Sequence, residues 1–190
     1  MVVTNNKKDY NLLKIMRAHG WDRDLSNKKN RKFNFINMGF NLRPLEVSAA
    51  IAQNQLKRLK NFSITRQKNR NKIINSLKNH PNWDNQYYFV KPDTNLKPSW
   101  FGLPLLLNKK FLKHKKKILK NLNIKGIETR PIISGNFLNQ SASKLYNLNF
   151  DNQKFPNADY IEKAGFFIGL HTKNIDFKKL KKLSNELLKF

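Results

Sequence analysis

The chain has 190 residues, 39% hydrophobic and 26% charged, so it is long enough for one hydrophobic core and lies outside the disordered and fibrous classes. It has no cysteine, which removes disulfides, thiolate nucleophiles, zinc knuckles and cysteine-held iron–sulfur clusters. The four histidines are too scattered for a metal site, and neither a membrane-length apolar run nor a signal-peptide pattern occurs, so a cytoplasmic, non-membrane protein without a metal is expected.

A formal charge of +26 ordinarily points to nucleic acid. Here the basic residues are mostly lysines spread along the chain and accompanied by abundant asparagine, as in the tract 69–75. A/T-rich coding produces that combination without any polyanionic partner. A basic nucleic-acid-binding protein without catalytic activity is therefore kept only as the alternative reading.

In chain order, residues 1–4 are β-prone, and Asp9 to His19 carries a helical spacing of Leu12, Leu13, Ile15 and Met16. Asp9 is the expected N-cap and Gly20 the expected stop. Residues 21–32 lack apolar periodicity and read as a loop. From Leu45 the positions Ala49, Ala52, Leu56 and Leu59, resuming at Ile73 and Leu77, predict one long amphipathic helix, begun by Pro44 and ended by His80-Pro81. Beyond Trp83, strands are expected at 99–107, 127–133 and 166–170, and helices at 110–122, 158–164 and after Asp176, whose Phe177, Leu180, Leu183 and Leu187 share a face. Lys113 to Lys120 reads as a solvated helix face, and Trp100 and Phe101 as core aromatics. These elements amount to an α/β layer domain.

Some short stretches set polar residues among glycine, proline and aromatics. Asn37-Met-Gly-Phe-Asn-Leu-Arg-Pro44 runs straight into the long helix, where an amide and a guanidinium suit an anion such as phosphate. A plain helix start is the competing explanation. Arg17-Ala-His-Gly20, Gly39 to Pro44 and Glu46 to Ala50 resemble, in order and spacing, consecutive motifs of the DegT/StrS-type family of pyridoxal-phosphate sugar aminotransferases and dehydratases. Pro98 to Pro104, Gly126 to Asn136 with Gln140, Ala158 to Ile161 and Gly165 to Gly169 resemble the keto-deoxy-sugar 3-dehydrase subgroup, so the likeness spans nearly the whole chain.

That resemblance implies the C-terminal part of a type I aminotransferase fold: 1–44 as the end of the large cofactor-binding domain, 45–82 as a connecting helix, and 83–190 as the small α/β domain. It implies pyridoxal phosphate or pyridoxamine phosphate as cofactor, and a nucleotide-activated keto-sugar as substrate in surface-polysaccharide synthesis. It also implies a homodimer of the full-length form, or pairing with a complementary N-terminal chain. By resemblance Asn41 reaches the cofactor phosphate across the dimer and Arg43 assists, while His19, Arg130 and Asn136 face the sugar nucleotide. The family's Schiff-base Lys, or the His of some dehydratases, precedes a Gly-Gly pair that no segment here matches. Catalytic residues are thus expected upstream of Met1, and the chain alone is expected to be inactive. Residues 21–32 lack the cysteines of the iron–sulfur 3-dehydrases, which disfavours that variant.

Overall fold

A computed structural model describes residues 2–26, 33–145 and 154–190, apart from the side chain of Lys144. By its contacts the chain divides into two compact units, Met1–Lys57 and Arg58–Phe190.

In the first unit, α1 (Lys7–Met16) is capped by Asn6, not by Asp9. The extended backbone of Asn6 lets its side-chain oxygen accept from Lys8 N at 2.8 Å and Asp9 N at 3.4 Å, leaving Asp9 in the first turn near the positive end of the helix dipole. Val2 to Thr4 form no strand. Among the described residues no neighbouring edge pairs with them, and Val2 and Val3 stay exposed. Ile15 and Ala18 are buried, and after α1 both His19 and Gly20 adopt positive φ, 63° and 83°.

The expected long helix is α2 (Glu46–Lys78), 33 residues or roughly 50 Å. Its apolar stripe is used unevenly. Leu45, Val47, Ile51, Leu56 and Leu59 are exposed, whereas Ile73 and Leu77 are buried.

The second unit carries a four-stranded antiparallel sheet in the order β1 (Tyr87–Phe89), β2 (Gly102–Leu107), β4 (Gly165–Gly169), β3 (Thr129–Arg130). Leu103 opposes Ile168, and Leu105 opposes Phe166. Period-2 alternation sends Leu103, Leu105 and Leu107 to the core face, where Ile73, Leu77 and residues of two further helices meet them. Those helices are α3 (Lys115–Ile124), through Ile118 and Leu122, and α6 (Phe177–Leu187), through Leu183 and Leu187. Two helices complete the unit, α4 (Ser141–Leu145) and α5 (Pro156–Ala164), the latter fixed to β2 by the Tyr160 hydroxyl donating to Leu107 O.

Several expected elements are shorter here. The stretch 127–133 pairs only at Thr129 and Arg130, because Pro131 has no N–H to donate and a turn closed by Gly135 N to Ile132 O follows. The first turns of the 110–122 helix are a 3-10 segment, Lys109–His114, capped by Asn108. Strand β2 begins at Gly102 instead of Ser99, and β1 is short enough to escape a periodicity argument. Asp176 caps α6 as expected, its carboxylate accepting from Lys179 N at 2.8 Å, but Phe177 points to solvent, 76% exposed.

Buried polar residues of α2 organise the segment after β4. Asn69, 2% exposed, donates to His171 O at 3.0 Å and Lys173 O at 2.8 Å and accepts from Ile175 N at 3.0 Å. Arg66 Nε donates to Leu170 O at 3.2 Å. Arg70 donates to Val90 O and lies 4.4 Å over the Trp100 ring. Nothing in the apolar pattern of α2 signals these roles.

Candidate functional site

The two N-terminal motifs form one backbone clasp in the first unit. Segment 33–42 runs antiparallel to 16–22: Phe40 N donates to Met16 O (2.6 Å), His19 N to Phe40 O (3.0 Å), Leu42 N to Arg17 O (2.9 Å) and Ile36 N to Gly20 O (2.9 Å). Ala18 bridges Asn41, and Trp21 bridges Phe35. The glycines allow the approach. A Cβ on Gly20 would lie 1.6 Å from Asn37 O, and one on Gly39 would lie 2.3 Å from Gly20 N and 2.6 Å from Met16 O.

This clasp fixes the backbone of Asn41 and leaves its side chain exposed, with no hydrogen bond among the described residues. Arg43 is likewise exposed, its guanidinium 5.8 Å from the Trp21 ring centroid and without an ion pair among the described residues. Arg23 lies 4.9 Å from the same ring. Pro44 and Leu45 then lead into α2, whose first N–H groups have no acceptor within the helix. The Asn41 amide NH2, the Arg43 guanidinium and these N–H groups can all donate to one anion, a set that fits a phosphate. Glu46 in the first turn supports the helix but opposes an anion, so the arrangement depends on Arg43 for charge.

Asp24 braces this surface by pairing with Arg17 (3.2 Å) and Arg23 (3.3 Å). Burial pushes its carboxyl up, yet the hydrogen bonds and charges of Arg17 and Arg23 outweigh burial and hold it below the usual carboxylate range. A depressed folded pKa contributes stability that is complete above the unfolded value, about 3.9, and is lost as pH falls through the folded one. Amide protection around Asp22 and Trp21 is therefore expected to weaken below about pH 4, and Asp24→Asn to abolish that pH dependence. A dependence unchanged in the variant would assign it to another carboxyl.

His19 is exposed and held at positive φ by the clasp. The remaining sequence candidates lie in the second unit. Arg130 is exposed on β3 and paired with Glu128 at 2.9 Å. It lines a cleft of about 560 Å³ that also includes His171. His171 Nδ1 accepts from Lys173 N at 2.9 Å, which in the neutral ring places the proton on Nε2 as a donor. Asn136, 8% exposed, is engaged internally: it donates to Asp159 at 2.7 Å and accepts from Leu138 N at 3.1 Å, while its own N–H bonds Glu162 at 3.0 Å. Trp100 packs against the core, but Phe101 is 66% exposed at the cleft and not a core residue. No helix among the described residues is long and apolar enough to cross a membrane.

The fold is that of the pyridoxal-phosphate aminotransferases, of which this chain covers a part. The chain belongs to the DegT/DnrJ/EryC1/StrS aminotransferase family, which it matches over residues 1–182. It is 38% identical over 183 residues to a GDP-4-keto-6-deoxy-D-mannose 3-dehydratase of Escherichia coli O55:H7, covering 90% of this chain and 45% of that protein. A protein of the same name from Yersinia pseudotuberculosis is 34% identical over 200 residues, covering 99% of this chain and 49% of that protein. The chain thus spans about half the length of the curated relatives it matches. A solved E. coli GDP-4-keto-6-deoxy-D-mannose-3-dehydratase with bound hydrated PLP superposes with a TM-score of 0.81 at 34% identity, over 97% of this chain and 49% of that one. A structure of GDP-4-keto-6-deoxymannose-3-dehydratase with bound GDP-perosamine gives the same values. The Helicobacter pylori aminotransferase PseC shares the fold, with a TM-score of 0.77 at 23% identity over 98% of this chain and 47% of that one.

Proposed function

We propose that this chain supplies the C-terminal part of a pyridoxal-phosphate enzyme acting on a GDP-linked keto-deoxy sugar, a 3-dehydratase in preference to an aminotransferase, in cytoplasmic synthesis of surface-polysaccharide sugars. Two relatives named as such dehydratases, at 38% and 34% identity, support the preference. A lipopolysaccharide biosynthesis protein of Salmonella typhimurium, 26% identical over 158 residues, supports the pathway context. The basic nucleic-acid-binding alternative gains no support from these relatives. The observation that carries the reading is the clasp that presents Asn41 and Arg43, without partners among the described residues, beside the start of α2.

When bound, pyridoxal phosphate supplies the electron sink for bond cleavage next to the reacting carbon. In this proposal Asn41 donates to its phosphate and Arg43 neutralises phosphate charge. His19 and Arg130 face the sugar nucleotide, and Asn136 anchors the loop after β3 to α5. The acid partner of the pyridine nitrogen and the proton-moving Lys or His belong to the family's N-terminal half, supplied in the same polypeptide or by another chain. Dimer formation then brings Asn41 to the neighbouring subunit's cofactor.

The exposed apolar side chains Phe35, Ile36, Met38, Phe40 and Leu42 suit burial against that half or a second copy. Assembly of the chain with the N-terminal half of the E. coli relative tests the proposal through equilibrium binding of the cofactor. Asn41→Ala is expected to weaken binding about tenfold, the loss of one charge-assisted hydrogen bond. Unchanged affinity would remove Asn41 from the site.

A further inference from the structure

The positive charge of the second unit is concentrated in two segments. Residues 109–125 hold eight lysines and no acidic residue, and residues 176–190 hold five lysines against Asp176 and Glu186. Together they carry thirteen of the chain's 38 basic residues, a density that an even bias toward lysine codons does not produce.

The fold lays these segments side by side. Helices α3 and α6 run antiparallel: Lys182 Nζ donates to Lys125 O at 3.3 Å just past the end of α3, and at the opposite end the Phe190 ring lies 5.0 Å from Phe111 and 5.5 Å from His114. Ile118 and Leu122 of α3, with Leu183 and Leu187 of α6, are buried in the core. The faces turned away from it carry Lys116 and Lys120 on α3 and Lys178 and Lys181 on α6, each pair one turn apart and exposed. Lys113 and Lys117 extend the same stripe. None of these six makes an ion pair among the described residues. Lys125, Lys179 and Lys182 line the cleft and are not part of this face. Where α3 ends and α6 begins, Ile124 and Phe177 stand 69% and 76% exposed.

Lysines one turn apart repel one another, a cost that an anionic surface laid across both helices relieves. The kind of surface follows from the side chains. Neither segment contains arginine, so the face offers mobile point charges and no bidentate recognition of single phosphates. Two separate apolar side chains suit shallow insertion between lipids, whereas single-stranded nucleic acid calls for a row of stacking rings.

We propose that the outer face of α3 and α6 docks on an anionic lipid bilayer, with its lysines at the headgroups and Ile124 and Phe177 entering the acyl boundary. Such peripheral contact requires no membrane-spanning helix, and it stands independently of the cofactor and substrate reading.

The test is co-sedimentation of the full chain with vesicles of about 30% phosphatidylglycerol in phosphatidylcholine, with phosphatidylcholine vesicles alone, and with both at about 0.1 M and about 0.5 M salt. A homopolymeric RNA is titrated in parallel. Lys116→Gln/Lys120→Gln/Lys178→Gln/Lys181→Gln removes four charges from the face. Lys7→Gln/Lys8→Gln/Lys91→Gln/Lys97→Gln removes four exposed charges outside it and controls for net charge. Binding to the anionic vesicles is expected to fall at least about a hundredfold in the first variant and less than about threefold in the control. Ile124→Ser/Phe177→Ser is expected to weaken vesicle binding about tenfold and to leave RNA binding unchanged.

Equal binding to phosphatidylcholine alone, binding indifferent to salt, or equal weakening in the two lysine variants would each overturn the proposal. So would RNA binding tighter than vesicle binding and lost in the same four-lysine variant, which would make the face a nucleic-acid surface. Vesicle binding unchanged by Ile124→Ser/Phe177→Ser would contradict insertion into the bilayer and overturn it as well.

Discussion

Gly20→Ala is expected to dismantle the clasp that carries Asn41, with a loss of roughly 2–5 kcal/mol in local stability. Two effects combine. Alanine at a φ of 83° is strained, and its Cβ would lie 1.6 Å from Asn37 O, a backbone atom that cannot rotate away. Segment 33–42 must therefore move as a whole, breaking the hydrogen bonds of His19, Ile36, Phe40 and Leu42. Hydrogen exchange at those amides reads the result directly. Gly126→Ala is the control: φ is 73°, but the new Cβ meets nothing within 4 Å, so only the conformational penalty of about 1 kcal/mol is expected. Native protection at Phe40 and Leu42 in the Gly20 variant would show that the clasp does not depend on this contact.

Asn69→Ala is expected to cost about 3 kcal/mol, because it strips a donor from the carbonyls of His171 and Lys173 and an acceptor from the Ile175 N–H at a site only 2% exposed. Its effect reaches the cleft, since His171 and Ile175 both line it. Asn69→Asp makes a sharper test. The carboxylate keeps the acceptor for Ile175 but turns a charged oxygen toward two carbonyls, so its folded pKa rises above the unfolded value of about 3.9. With the folded pKa raised, the variant is most stable below the unfolded value and loses stability as pH rises toward the folded one. Denaturation midpoints between about pH 4 and pH 7 check this; a variant insensitive to pH across that range would contradict the assigned bonding.

The sequence was readable where a single periodicity decides the outcome. The extent of α2, the cap at Asp176 and the β2 alternation of Leu103, Leu105 and Leu107 follow from local chemistry alone. The exposed half of α2 was harder: Leu45, Leu56 and Leu59 announce a buried face, and among the described residues nothing covers it. Apolar spacing reports that a surface is meant to be covered, not what covers it. The β-prone start at Val2 failed for a related reason, since a strand is defined by its partner.

Site residues divided similarly. The motif around Asn41 was visible as an unusual mixture of Gly, Asn, Arg and Pro, yet the reason for Gly20 and Gly39 lies in an approach between segments about twenty residues apart. Asn136 illustrates the opposite outcome. A polar residue in a Gly- and Pro-rich loop reads as a ligand from sequence, but its bonds to Asp159 and Leu138 spend its side chain within the fold. Asn69 and Arg70, both buried, gave no signal in the apolar pattern, because their partners are main-chain carbonyls and an N–H that sequence does not place. Lys179 and Lys182 carried no signal in the sequence, because β3 and the residues after α3 supply the rest of the cleft they line.

The most direct measurement of the central claim is pyridoxal phosphate binding by this chain assembled with the N-terminal half of its dehydratase relative, followed by absorbance against each part alone. Stable cofactor binding is expected of the assembly, little of this chain alone, and a loss of affinity when Asn41 is replaced by alanine. An assembly that forms but holds no cofactor, or that binds it equally well without Asn41 and Arg43, would contradict that claim.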